Sequence, residues 1–441
     1  MPECAQDMQK YAYRVVGPIL YRYARWIVHE AHARGIKTLW FLARDGYLLR
    51  IIADKICKNE GIDIESRYLF CSRRSLRMPM YHLVGEEAYE YLFSWGYYCT
   101  PRTLLARAEI CGSEADSLLN SLGYNLPDEL LSREGFDNLC ESLREDGGFL
   151  ARVMEKSRSE YPLALEYLSR EGMLDADTVA IADSGWTGSM QHALRIILES
   201  SGYKGHIVGF YFGMYADVRD GRDGEMLTYY FNSRGPIFHK VMFNNNLFEC
   251  MLSAPHPMTV CYRRDGDSVT PVFAGAYGDK MKRLVDAQID GVVAYVDDKI
   301  FNSGTKCKAE LISKQYYNII KRAMIYPTAQ EARMYSHFLF CDDVSESYAL
   351  PLARLGTGGE LRECLLPVRI MRKILGKRRS TPAPLWIYGA IADMPNVIRS
   401  WYRINALTYD FLKALNENRK SRIKVMRNEK TRKARLRENK N

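Results

Sequence analysis

The order in which apolar runs change their period constrains this chain more than any other feature. Thr38 to Ala43 (TLWFLA) is an apolar run of strand length. Leu48, Leu49, Ile52, Ala53 and Ile56 then recur at helical spacing up to Gly61, and Tyr68 to Cys71 (YLFC) is strand-like again. The same succession returns later as Thr178 to Ala182 (TVAIA), then Met190, Ala193, Leu194, Ile197 and Leu198, then His206 to Phe212 (HIVGFYF). A strand–helix–strand unit is nearly always parallel and right-handed. Two such units predict an α/β fold with a doubly wound, mostly parallel sheet.

The rest of the chain is arranged around those units. Residues 17–35 read as an amphipathic helix opened by Gly17-Pro18 and closed at Gly35. Residues 1–78 and 173–258 would form the α/β core, of at least four strands by the apolar runs named above. Residues 79–172, rich in Leu, Glu, Arg and Tyr at helical spacing, read as a helical insertion or cap. Residues 259–410 read as a mixed, largely helical C-terminal part, opening with a hairpin around Arg264-Asp265-Gly266-Asp267 and including a basic stretch from Lys377 to Pro384. Residues 411–441 form a basic tail.

Composition narrows the class. With 441 residues, 47% of them hydrophobic, the chain can build a large core. No apolar stretch approaches the 18 or so residues of a membrane span, and the N-terminus lacks the basic-then-apolar order of a secretory signal. Eleven cysteines are scattered singly without a C-x-x-C pair, which favours reduced thiols over disulfides or zinc. The net charge of +9 lies in the tail: Arg419 to Asn441 hold eleven Lys or Arg against two Glu. Such a tail suits an anionic membrane surface or nucleic acid, or is simply a solvated helix.

In a parallel sheet, ligands bind outside the carboxyl ends of the strands. The first strand end offers Arg44, Asp45 and Gly46, and the second Ser72, Arg73 and Arg74. The third offers Asp183, Ser184, Gly185, Thr187, Gly188 and Ser189, read as a Gly- and hydroxyl-rich loop that opens a helix. Guanidinium groups, backbone N–H groups at a helix start and carboxylates suit a phosphate or pyrophosphate with Mg2+. In this reading Arg44 and Arg73 clamp phosphate, while Asp183 holds the metal or a sugar hydroxyl. Asp45 is the candidate general base, because a carboxylate beside Arg and Mg2+ stays ionised. The alternative is a buried ion pair that only orders the loops. Asp175-Ala176-Asp177-Thr178-Val179 mimics a phosphatase nucleophile string, but its strand follows the string instead of preceding it. Neither a phosphate-binding G-x-x-x-x-G-K-[ST] loop nor a G-x-S-x-G elbow occurs.

Two resemblances rest on these residues. Ala182 to Ser189 resembles the phosphoribosyl-pyrophosphate loop of phosphoribosyltransferases, with one acidic residue, Asp183, where that family has two. This implies a Rossmann-like, phosphoribosyltransferase-like sheet. More widely, Gly17 to Leu20, Phe41 to Leu49 (FLARDGYLL), Ser72 to Arg77 (SRRSLR), Asp183 to Gln191 (DSGWTGSMQ), and Glu249 with Ser253 to Pro257 (SAPHP) occur together. In that order they resemble the module that follows the phosphatase domain in haloacid-dehalogenase-type proteins of bacterial surface-polysaccharide clusters. The resemblance implies capsule or O-antigen assembly in a bacterial cytoplasm, with other biosynthesis enzymes as partners. It does not carry over the hydrolase activity.

Three functions follow as expectations. The first is an enzyme that binds and processes a phosphorylated or nucleotide-linked sugar with Mg2+. The second is a non-catalytic sensor of the same ligand. The third is a scaffold that docks at the inner membrane, or on nucleic acid, through residues 419–441.

Overall fold

The computed structural model describes residues 2–96, 98–215, 223–303, 313–341, 343–345, 348–354, 358–375 and 383–438. Most of the basic stretch from Lys377 to Pro384, and the side chains beyond Arg419, lie outside the described residues.

The chain opens with α1 (Pro2–Tyr11), a π-helical turn at Ala12–Val16 and α2 (Gly17–Ala33), in which Pro18 occupies the first turn, where no backbone donor is needed. Then come β1 (Thr38–Leu42), α3 (Gly46–Glu60) and β2 (Glu65–Leu69). Helices α4 (Arg73–Val84), α5 (Ala88–Leu92), α6 (Pro101–Ala106), α7 (Gly112–Ser121), α8 (Arg133–Glu145) and α9 (Gly147–Arg170) separate β2 from β3 (Thr178–Trp186). After α10 (Ser189–Ser200) follow β4 (His206–Met214), β5 (Glu225–Phe231), α11 (Ile237–Val241) and α12 (Asn245–Met251).

The C-terminal part begins with β6 (Thr259–Asp265) and β7 (Ser268–Phe273), the expected antiparallel hairpin. Helices α13 (Asp279–Ser303), α14 (Lys314–Ile325) and α15 (Ala329–Tyr335) follow, then the short strands β8 (Leu339–Phe340) and β9 (Leu350–Pro351). The last elements are α16 (Gly358–Arg362), α17 (Leu366–Ile374), α18 (Ile387–Ala390) and α19 (Asn396–Glu438). The tail is therefore continuous with a helix that starts at Asn396, without a break at 411.

The central sheet is parallel throughout, in the order β2-β1-β3-β4-β5, as a Rossmann-like fold requires. Strand alternation gives it two buried faces. Leu39, Phe41, Ala180 and Ala182 face a core built with α2, α3 and α12 to α15. Trp40, Leu42, Val179 and Ile181 face a second core built with the inserted helices, α10 and the hairpin. Each fully buried large apolar side chain contributes about 1.5–3 kcal/mol, so both layers are needed to cover the sheet.

Three boundaries differ from the sequence reading. β2 lies earlier than YLFC, at Glu65–Leu69, because an edge strand tolerates the polar Glu65, Ser66 and Arg67. Ser72 does not end a strand; it caps α4, its side chain and that of Ser75 each accepting the other residue's backbone N–H. The stretch read as the third loop is mostly strand: β3 continues through Asp183, Ser184, Gly185 and Trp186, paired with β4 up to Met214. Only Thr187 and Gly188 remain as the turn into α10. The fifth strand, β5, went unread in the sequence. No described helix is long and apolar enough to cross a membrane, and every described cysteine is free.

Candidate functional site

The order β2-β1-β3 places the topological switch point between β1 and β3, whose following helices α3 and α10 leave toward opposite faces. The pairing of β1 with β3 stops at Phe41 opposite Ala182, while β3 runs on beside β4. The residues of β3 from Asp183 onward therefore extend past the carboxyl end of β1, the edge at which open parallel sheets take ligands.

Three half-buried carboxylates from separate elements lie within electrostatic reach of one another there. Asp45 precedes α3, Asp183 belongs to the β3 extension, and Glu249 is carried by α12. Burial pushes the Asp183 carboxyl well up, and the charge of Asp45 adds to this against hydrogen bonds from the Ser184 and Gly185 backbone. Burial also raises Asp45, opposed by the Ser184 hydroxyl and by Arg44 and Arg73. Asp45 is thus less readily ionised than the sequence reading supposed. Glu249 rises to about 7, by burial first and the Asp45 charge second, although Trp186 Nε1–H donates to it at 2.7 Å.

The shell around the acids is aromatic and ordered. The Tyr23 hydroxyl donates to the Asp183 carbonyl at 2.6 Å. The Trp186 ring packs against Phe231, Phe243 and Phe248. Arg44 Nη1 donates to the Tyr277 hydroxyl at 3.3 Å. His256 Nδ1 lies 2.8 Å from the Pro257 carbonyl, which can only accept, so Nε2 takes the Tyr68 hydroxyl proton at 2.7 Å. Burial lowers the pKa of His256.

The arginines divide. Arg73, the first residue of α4, makes no hydrogen bond or ion pair among the described residues, yet it lies within electrostatic reach of Asp45 and Glu249. Its neighbour Arg74 turns away to Glu109 and Glu160 of the insertion and is saturated there. One turn on, Arg77 donates from Nη2 to Ser189 Oγ at 2.7 Å, at the first residue of α10. Its Nε is buried without a partner. Burial, with Arg73 and Arg107 nearby, lowers the pKa of Arg77 to about 10, so it is still charged at neutral pH. The α10 start has Gly188 at φ +70° as N-cap with no side-chain cap, leaving its first N–H groups for another acceptor.

The sequence-derived candidates therefore separate. Arg44, Asp45, Arg73, Asp183 and Ser184 come together. Gly188 and Ser189 form the α10 start beside Arg77, with Thr187 exposed and donating to Ser189 Oγ at 3.3 Å. Gly46 and Gly185 are close-packing positions, where a Cβ would meet the Phe41 carbonyl carbon at 2.6 Å and the Gly213 oxygen at 2.5 Å. Ser72 is committed to its cap and to the Thr259 carbonyl at 2.7 Å. Sequence reasoning did not single out Glu249 or Arg77 as site residues, although both stand in quoted motifs.

Among the described residues no three His, Cys, Asp or Glu side chains gather around one ion position. The donor set still fits Mg2+, which keeps several waters and takes one or two carboxylates together with ligand phosphates. A separate concavity of about 550 Å3, lined by Glu86, Glu87, Glu90 and Asp146, holds none of the strand-end residues. No family model matches the chain, and no curated protein matches it.

Proposed function

We propose that this chain binds a phosphorylated or nucleotide-linked sugar, with Mg2+, in the crevice where β1 and β3 end, in the service of bacterial surface-polysaccharide assembly. One observation carries the ligand class. Three carboxylates that resist ionising lie together, two of them, Asp45 and Glu249, within reach of Arg73, which has no hydrogen-bonded partner of its own, with Arg77 one helical turn away at the open start of α10. Such an arrangement has an acidic end for a cation and sugar hydroxyls, and a cationic end for phosphate. The polysaccharide setting is supported by the motif resemblance alone.

Asp45 and Asp183 are the residues that would hold Mg2+, which when bound supplies charge neutralisation to the phosphate. Arg44, Arg73 and Arg77, with the α10 N–H groups, orient the phosphate oxygens. Glu249, with a pKa of about 7, can both accept and release a proton near neutral pH, and Trp186 Nε1–H holds its carboxylate in place. It is a better general acid or base than Asp45.

The test is the melting temperature of the full chain with Mg2+ and, in turn, inorganic pyrophosphate, a hexose 1-phosphate, a nucleoside diphosphate sugar and phosphoribosyl pyrophosphate. At least one phosphosugar is expected to raise it, and Asp183→Asn and Arg73→Met are each expected to abolish the rise. No rise with any of them overturns the proposal. Product formation with the binding ligand then separates an enzyme from a sensor.

A further inference from the structure

Two helices near the C-terminus leave apolar sides uncovered. α17 exposes Ile370, Met371 and Ile374, the last of them 78% accessible. α19 exposes Val397 at 84%, Trp401 at 50%, and also Ile404 and Leu415. At 100° per residue these four α19 positions fall on one side of the helix, a stripe about five turns long. Between the two helices runs a groove of about 510 Å3, with Val368 on one wall and Ile398 and Trp401 on the other. Its floor is a small separate core that includes Leu365, Ile391 and Tyr402.

The charge of these segments is one-sided. Residues 358–375 carry four Lys or Arg against two Glu, and residues 396–441 carry fourteen against four acids. A second copy of the same face would bring two cationic helices together. A bilayer with anionic head groups offers an apolar interior and the opposite charge at once. Trp401, half-exposed within the stripe, is the residue type that sits at the head-group boundary. No described helix is long and apolar enough to span a bilayer, so such a face would contact it along the surface.

We propose that α17 and the first half of α19 form a docking face for an anionic lipid bilayer, independent of the phosphosugar crevice. The apolar stripe enters the interface, and the basic remainder of α19 lies against the head groups.

Co-sedimentation of the full chain with vesicles tests this. Phosphatidylcholine vesicles containing phosphatidylglycerol are expected to bind it about tenfold more strongly than phosphatidylcholine alone, less so at high salt. The double variant Ile374→Glu, Trp401→Glu is expected to lose that binding while its melting temperature is unchanged, since both positions are exposed. Trp401→Phe should retain it. Equal binding to both vesicle types, or to neither, overturns the proposal. So does full binding by the double variant, which would assign the interaction to tail charge alone. A dimer that dissociates in the double variant assigns the face to a second copy instead, and duplex DNA displacing the vesicles assigns it to nucleic acid.

Discussion

At the residue scale the site turns on Glu249. Its ordinary pKa of 4.5 rises to about 7 in the fold. Between those two values the folded chain holds a proton that the unfolded chain has released. Stability therefore falls as pH rises through this window, and the loss is complete above it. The upward shifts of Asp45 and Asp183 act in the same direction. Glu249→Gln removes the charge but keeps an oxygen for the Trp186 N–H. Its melting temperature at pH 8 should exceed that of the unsubstituted chain by on the order of 3 °C, with no difference at pH 5. An equal change at both pH values would mean that packing, not charge, governs this position. The same sign applies to metal binding. Mg2+ alone should raise the melting temperature at pH 8, where the acids are driven to ionise, and much less at pH 5, where they hold protons. A thermal melt with and without chelator at each pH measures this.

At the element scale the decisive feature is the extension of β3. Gly185 has φ +112° and Trp186 φ +80°, both in the region that side chains other than glycine avoid. The ladder to β4 and the aromatic packing of Trp186 hold this backbone in place. Gly185→Ala would add a Cβ at 2.5 Å from the Gly213 oxygen. It should destabilise the chain by about 2–4 kcal/mol, read as a lower urea midpoint, and weaken any phosphosugar binding with it. The sequence made β1, α3 and the start of β3 legible through period alone, and with them Arg44, Asp45 and Asp183 at the strand ends. The rest was hidden for physical reasons. A Ser-Gly-Trp-Thr-Gly run reads locally as a loop, and only pairing with β4 makes it strand. Arg73 and Arg74 are neighbours in sequence, but on a helix they diverge by 100°. Their division becomes readable only once Ser72 is seen as a cap. Glu249 interrupts an apolar run, Leu247-Phe248-Glu249-Cys250-Met251, and looks like its solvent-facing position until Trp186 is placed over it.

At the scale of the whole molecule, a buried ion pair ties the insertion to the C-terminal part. Arg107 follows α6 in the insertion, and Asp343 lies between β8 and β9; both are almost fully buried. Two guanidinium nitrogens of Arg107 meet Asp343 Oδ2 at 2.7 Å, while Nη1 donates to the Leu92 carbonyl at 2.9 Å. The second oxygen, Oδ1, accepts the Ser345 backbone N–H at 2.9 Å and the Ser345 hydroxyl at 2.7 Å. All three guanidinium nitrogens and both carboxylate oxygens are thus engaged. Removing one partner leaves the other charged and buried, which costs far more than the pair contributes in net terms. Asp343→Asn should therefore lower stability by about 3–5 kcal/mol, while Arg107→Met with Asp343→Leu should cost much less, because no charge is stranded. Urea unfolding followed by tryptophan fluorescence and by circular dichroism distinguishes the outcomes. If the bridge couples the two parts, Asp343→Asn shifts or splits the transition and the double variant largely restores it. If the single and double variants fall equally, the loss is one of shape rather than charge, and the bridge is not what joins the insertion to the C-terminal part.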